Sequence, residues 1–362
     1  MGMAIDHKAK NSAGALDTPT SVDTEGDVVA RAEAAIERIA AARREIGHVI
    51  YGQEAVIEHA LVAILSGGHA LLVGLPGLAK TLLVDTLGTV LGLDDKRVQF
   101  TPDLLPADIL GSEILEEDEN GKRHFRFLKG PVFCQLLMAD EINRASPRTQ
   151  SALLQAMQEK QVTIAGKRYE LPHPFHVLAT QNPIEQEGTY PLPEAQLDRF
   201  LLQIDITYPT LEAERAMLVA TTTGKKATAS QAISAQELEN IQSLVRAMPV
   251  GEQVVDGILS LVRSARPSAA GSKGLGVAQA GGDVSAEEGR KDLIWGPGPR
   301  AAQALMLGVR ARALIDGRFA PSLDDVAALA PAALKHRMAM SFHARAEGQT
   351  IEAIIAELVA KL

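Results

Sequence analysis

An α/β fold followed by a helical C-terminal unit is what the sequence predicts, on three observations. The apolar run Ala70-Leu71-Leu72-Val73 passes through a glycine-rich turn into Leu82-Leu83-Val84, which reads as helix. Two later runs, Cys134 to Ala139 and Phe175 to Ala179, are of strand length and mostly apolar, as expected for strands covered on both faces. After a further short strand, Phe200-Leu201-Leu202-Gln203-Ile204, the pattern turns helical.

The turn reads GLPGLAKT over residues 74–81. A strand, such a turn and then Lys-Thr opening a helix make a cradle for nucleotide phosphates. Its backbone, from Gly74 through Pro76, Gly77, Leu78 and Ala79 into Lys80, Thr81 and Leu82, presents N–H donors together with the positive end of the helix. Lys80 adds a point charge at the β/γ-phosphates, and Thr81 a hydroxyl for Mg²⁺. Ala79 stands where the strict pattern has a final glycine. The alternative is a glycine-rich turn before a helix in an unrelated sheet protein.

Support comes from the ends of the other two apolar runs. The first ends in Asp140-Glu141, a carboxylate pair at a strand's C-terminal end. In phosphate-transfer chemistry the first such carboxylate holds Mg²⁺ and the second can accept a proton from the attacking water, so Asp140 is the metal residue and Glu141 the base. Acidic residues there can also simply cap the next helix, expected near Arg144 to Lys160. The other run ends in Thr180-Gln181-Asn182. Asn182 could orient water or sense the γ-phosphate, or it could be a turn former before Pro183.

Composition narrows the class. The 362 residues, 46% hydrophobic, have room for two domains or one domain with a lid. A net charge of -9 with both signs interspersed argues against non-specific duplex binding, so nucleic acid is an unlikely partner. The single cysteine, Cys134, falls in an expected buried strand, which excludes a disulfide framework or a cysteine-based metal site. No apolar stretch approaches the ~18 residues that span a bilayer, and no secretory apolar region opens the chain, which implies a cytoplasmic location.

Residues 1–26, rich in Ser, Thr, Asp, Gly and Ala, are expected to be a disordered tail. Residues 27–209 then form the nucleotide-binding core and 210–362 the helical lid. Asp27 can cap a helix carrying Val28, Ala32, Ala35, Ile36, Ile39 and Ile46, and a second helix runs to about Leu65. A strand with Val98 and Phe100 follows. Asn120-Gly121 and Ala165-Gly166-Lys167 mark β-hairpins near 112–128 and 161–171, which are either projecting levers or plain sheet extensions. Ser234 to Glu237 is a capping box and Ser322 to Asp325 begins another helix, while residues 266–290 read as a mobile loop.

Taken in order, GLPGLAKT, LLMADEINRA, FHVLATQNP, LPEAQLDRF and WGPGPRA closely resemble the MoxR family of AAA+ ATPases over roughly residues 28–345. The family commonly writes its phosphate loop with Ala before Lys-Thr. The resemblance implies an αβα sandwich with a parallel five-stranded sheet and a small all-helical lid. It also implies ATP and Mg²⁺ as ligands, and assigns the hairpins as the helix-2 and pre-sensor-1 inserts. By motif position Lys80 and Thr81 belong to Walker A, Asp140 and Glu141 to Walker B, Asn182 to sensor 1 and Arg300 to sensor 2. Val49, Ile50 and Gly52 match the adenine-packing region, although a plain helix-linking turn would look the same. Arg199 looks like the arginine finger that reaches a neighbouring subunit, so self-association into a ring, most often a hexamer, completes the site. The alternatives are a salt bridge from Arg199 to Asp198 or Asp205, and Arg144 as a rival trans-acting arginine.

By family analogy the function is chaperone-like remodelling of a protein client, for example a von Willebrand factor A domain protein or a metal-dependent enzyme. One competing function is a helicase-type nucleic-acid motor, with Lys167 and Arg168 touching phosphate and the acidic Glu116 to Glu119 hairpin speaking against it. Another is the ATPase subunit of a metal-chelatase-like assembly.

Overall fold

The computed structural model describes residues 25–185, 188–222, 227–268 and 290–362. Of the tail expected at 1–26, residues 1–24 lie outside those described, as do residues 269–289 of the loop expected at 266–290. The loop's ends are joined: Ser268 donates to the Arg290 carbonyl and Arg290 to the Arg266 carbonyl, each at 2.9 Å.

Helix α1 (Glu25–Val49) begins before Asp27, so that residue lies inside the first turn and does not cap it as expected. Ala32, Ala35, Ile39, Ala42 and Ile46 recur at helical spacing and are buried. Next come α2 (Glu54–Leu65), β1 (Ala70–Gly74), α3 (Lys80–Val90), β2 (Asp95–Gln99) and the short α4 (Pro106–Leu110). The first insert is the hairpin β3 (Gly111–Glu117) and β4 (Arg123–Lys129), which leads to β5 (Leu136–Asp140) and α5 (Pro147–Glu159). The second is β6 (Gln161–Ile164) and β7 (Lys167–Glu170), followed by β8 (His176–Gln181), α6 (Glu194–Leu197) and β9 (Leu202–Ile206).

Five strands form one sheet in the order β2-β5-β8-β1-β9, with every pair parallel. Burial follows position. β5 is buried throughout, whereas β2, at one edge, buries only Val98. Cys134 lies in the turn before β5 and not in the strand as expected; it is still buried, and burial pushes its thiol up to about 12.

Both hairpins are present, with different turns. Ala165 and Gly166 both have positive φ, 48° and 79°, as in a two-residue I′ loop. The first hairpin closes over a longer loop, with Gly121 at φ 74° and Asp118 accepting from the Asn120 and Lys122 amides. The inserts pack on one another: Phe127 and Tyr169 stack at 4.2 Å, and Lys167 lies 3.6 Å from Glu113.

The lid comprises α7 (Leu211–Thr222), α8 (Ala235–Ala247), α9 (Glu252–Ser264), β10 (Leu293–Trp295), α10 (Pro299–Ile315), α11 (Leu323–Leu334), β11 (Ala339–Met340), α12 (Phe342–Ala346) and α13 (Ile351–Val359). Among its described residues the regular elements are helices apart from the antiparallel pair β10–β11 and an isolated bridge between Pro267 and Arg290, neither of which the expected all-helical lid included. One apolar cluster runs from Leu72, Met138 and Ile204 on the sheet through α1 and α2 to Leu305, Val309 and Leu329 of the lid. The opposite sheet face packs Leu71, Leu137 and Val177 against Leu153 and Met157 of α5.

Polar contacts reinforce this junction. The fully buried Asp325 carboxylate accepts from Arg312 at 2.6 Å and Arg318 at 2.6 and 2.8 Å, and Arg312 also reaches Glu58 of α2 at 2.9 Å. Burial pushes the Asp325 pKa up, but bonds from Arg318, the Ser322 amide and Arg312 outweigh it and hold it below the usual value. Asp325→Ala removes the buried carboxylate that Arg312 and Arg318 share, leaving them only Glu58 and Asp316, and is expected to cost about 3–5 kcal/mol in chemical denaturation. A loss under about 1 kcal/mol, the range of an exposed pair, would contradict this.

Two histidines sit in the same region. His176 Nδ1 donates to the Gly68 carbonyl at 2.8 Å while its Nε2 accepts from Gln242 of α8 at 3.0 Å. His69 Nδ1 accepts from the Val177 amide at 2.9 Å. Burial lowers both, His69 to about 3, aided by the nearby His176, and His176 to about 4. A folded-state pKa below the unfolded value means the unfolded chain binds more protons. The contribution is therefore complete above pH 6.5 and lost as pH falls towards 4, by up to about 1.4 kcal/mol per pH unit for each histidine forced to charge. Thermal midpoints measured from pH 7 to 4 should fall in that direction.

Candidate functional site

Neighbouring parallel strands end on the same rim, and β5, β8 and β1 are neighbours here. Beyond their C-terminal ends lies a cavity of about 470 Å³ lined by Lys80, Thr81, Asp140, Glu141, Thr180 and Asn182, with Pro76, Gly77, Ala79 and Leu82 on the loop side. Segments far apart in the chain thus meet at one place.

The loop's shape follows from its residues. Gly77 has φ 82° with open space around it, so glycine serves the backbone conformation there. Ala79 also adopts a left-handed conformation, φ 56°, immediately before α3. That conformation explains why glycine is usual at this position, and for alanine it costs about 1–2 kcal/mol. Lys80 Nζ donates to the carbonyls of Gly74 at 2.7 Å and Leu75 at 2.8 Å. Burial lowers its pKa, opposed by the charges of Asp140 and Glu141.

On the facing side, Asp140 accepts from the Thr180 hydroxyl at 2.5 Å and from Arg97 at 2.6 Å. Glu141, with φ 54°, has its carboxylate bonded by Gln99 at 2.7 Å and Arg144 at 3.0 Å, and its amide donates to Thr180 at 2.9 Å. Neither carboxylate caps a helix; α5 is capped by Ser146. The helix-cap alternative therefore does not hold. Asn182 does both things considered for it: it lines the cavity, and its Oδ1 accepts from the Ile184 amide at 3.2 Å in a turn.

Other expected residues lie elsewhere. Gly74 sits against Ile206 of β9, and Leu78 packs on the apolar core. Val49 packs there too and Ile50 is buried, so neither lines this cavity. A Cβ on Gly52 would come within 2.2 Å of Ala213, so the α1–α2 link requires glycine to pass α7.

Arg199 and Arg300 share a second cavity of about 270 Å³ beside Asp198 and Arg337. The salt-bridge alternative for Arg199 fails, because Asp198 is taken by Arg337 at 2.6 Å and Asp205 by Lys335 at 2.7 Å. Among the described residues the buried Arg199 Nε has no hydrogen-bond partner. Burial lowers the Arg199 pKa and the charge of Arg300 lowers it further. Arg144, the rival trans-acting arginine, is instead tied to Glu141 of its own chain.

Reasoning from sequence missed Arg97, Gln99 and Thr180 as partners of the carboxylates. A signal existed for each. Arg97 and Gln99 alternate about Val98 and so share one side of β2, and Thr180 is a polar residue in a strand buried on both faces.

The chain matches the family model "ATPase family associated with various cellular activities (AAA)" over residues 69–202 and the AAA lid domain over 290–358. It is 40% identical to Chaperone MoxR1 of Mycobacterium tuberculosis over 86% of this chain and 78% of that one. It is 31% identical to Protein MoxR of Paracoccus denitrificans over 83% and 88% respectively. A solved structure of a protein from Cytophaga hutchinsonii superimposes with a TM-score of 0.81 at 37% identity, covering 93% of this chain and 98% of that one. With the strand order and helical lid described above, these matches establish that the chain belongs to the MoxR family of AAA+ ATPases.

Proposed function

We propose that this chaperone-like ATPase binds and hydrolyses ATP with Mg²⁺ at the cavity beyond β1, β5 and β8. The observation that carries the reading is the convergence of Lys80, Thr81, Asp140 and Glu141 on that one cavity. Among the described residues no group of three or more His, Cys, Asp or Glu side chains could hold a metal alone. One carboxylate and one hydroxyl nevertheless fit a hard cation that shares its coordination with substrate phosphates. Thr81 and Asp140 would hold Mg²⁺, which supplies charge neutralisation at the β/γ-phosphates. Lys80 leaves its two carbonyl partners to meet phosphate, Glu141 takes the proton of the attacking water, and Asn182 orients that water.

Arg199 and Arg300 lie together in the other cavity, so we assign both to the nucleotide of an adjacent subunit in a ring, most often a hexamer. Under this reading the core spans 27–209 and the lid 210–362. The client is a protein, such as a von Willebrand factor A domain protein or a metal-dependent enzyme. The location is cytoplasmic; no helix among the described residues is long and apolar enough to cross a membrane. The projecting hairpins are the contact for the client. Their charge is more balanced than the run Glu116 to Glu119 suggested, since Glu116 pairs with Arg126 and Glu117 with Arg123. The names of relatives, Chaperone MoxR1 among them, favour a protein client over a nucleic acid.

Calorimetric titration with ATP and Mg²⁺ should give saturable heat that Lys80→Ala abolishes. The same titration on a chain lacking 113–127 should be unchanged while capture of the client is lost. Absence of heat in the parent would end the nucleotide reading, and undiminished capture by the deletion would end the role of the hairpin.

A further inference from the structure

We infer that Arg337 is a positioning residue for Arg199, through which the lid sets the trans-acting arginine of each subunit. The inference rests on the reading above in which Arg199 serves the nucleotide of a neighbour. Arg337 ends the turn Lys335–Arg337 that follows α11, and its side chain is 2% exposed. Its guanidinium donates to the Asp198 carboxylate at 2.6 Å and to the main-chain carbonyls of Asp198 at 3.3 Å, Phe200 at 2.6 Å and Leu201 at 3.1 Å. Those carbonyls flank Arg199 on both sides. A fifth bond, to the Ala333 carbonyl at 2.5 Å, anchors the guanidinium to α11.

The whole turn grips the same stretch of core. Lys335 reaches Asp205 of β9 at 2.7 Å, and the ring of His336, kept neutral by burial, donates through Nε2 to the Phe200 carbonyl at 3.1 Å. Arg199, by contrast, leaves its Nε without a partner among the described residues. Its backbone is fixed from the lid while its side chain is left for a group outside the chain. Asp198 links Arg337 to Arg300 of the same cavity, since its second oxygen lies 3.9 Å from Arg300. A planar fork of donors can hold a carboxylate and several carbonyls at once, which a lysine cannot do.

Mixed assemblies test this. Arg337→Met should retain ATP affinity and assembled mass yet lose turnover by about 10²-fold, the scale of a misplaced catalytic group. Mixed with Glu141→Gln subunits, whose fingers are intact, it should recover most of that loss, because the nucleotide sites of the Arg337→Met subunits are whole. Arg199→Ala mixed in the same way is the control. Rescue of Arg199→Ala without rescue of Arg337→Met would overturn the positioning role and leave the trans arginine standing. Failure of both would overturn the trans arginine and this inference with it, as would full turnover by Arg337→Met alone. Should Arg337→Met not assemble, Arg337→Lys, which keeps the charge but not the fork, carries the same comparison.

Discussion

Arg199→Ala is expected to lower ATP turnover by about 10³- to 10⁵-fold, the contribution of an arginine placed on developing phosphoryl charge, while nucleotide affinity changes little. The structure makes the expectation sharper than sequence alone did. The two acidic residues weighed as salt-bridge partners of Arg199 are committed elsewhere, Asp198 to Arg337 and Asp205 to Lys335. Steady-state turnover measured above the assembly concentration is the test. A loss smaller than about tenfold would place Arg199 outside the transition state.

Glu141→Gln should bind ATP and assemble normally while turnover drops by about 10²- to 10⁴-fold, the usual contribution of a positioned general base. Glutamine keeps an acceptor for Gln99 and Arg144, whose bonds to Glu141 measure 2.7 and 3.0 Å, so the local fold should survive. The variant holds nucleotide and client together, and its native mass reports the number of subunits in the ring. Parental turnover would show that another group takes the proton.

Much of this was legible because the signals that mark it are local. Strand β1, the turn and α3 are contiguous, and the central strands announce themselves as apolar runs that end in polar residues. The edge strand β2 was harder, since Asp95, Lys96, Arg97 and Gln99 read as surface; alternation about Val98 puts Arg97 and Gln99 on one side but does not say which strand's carboxylates they meet. Which residues pair across the sheet depends on strand order, and no local pattern encodes that. The same reason separated Arg300 from the first cavity: a motif gives a residue's place along the chain, whereas only the packing of lid on core shows which cavity it enters. Arg337 lay within the span of resemblance but outside its quoted motifs, and nothing in the sequence marks an arginine as buried.

The apolar interior passing unbroken from the sheet to α10 and α11 leaves the subunit without a cheap hinge. Swinging the lid open would wet that seam at about 25 cal/mol for each Å² of hydrocarbon exposed, so cycles of nucleotide binding and release are better served by whole protomers tilting against one another. Work done on a client would then be generated at the contacts between copies, with each protomer moving as a stiff block.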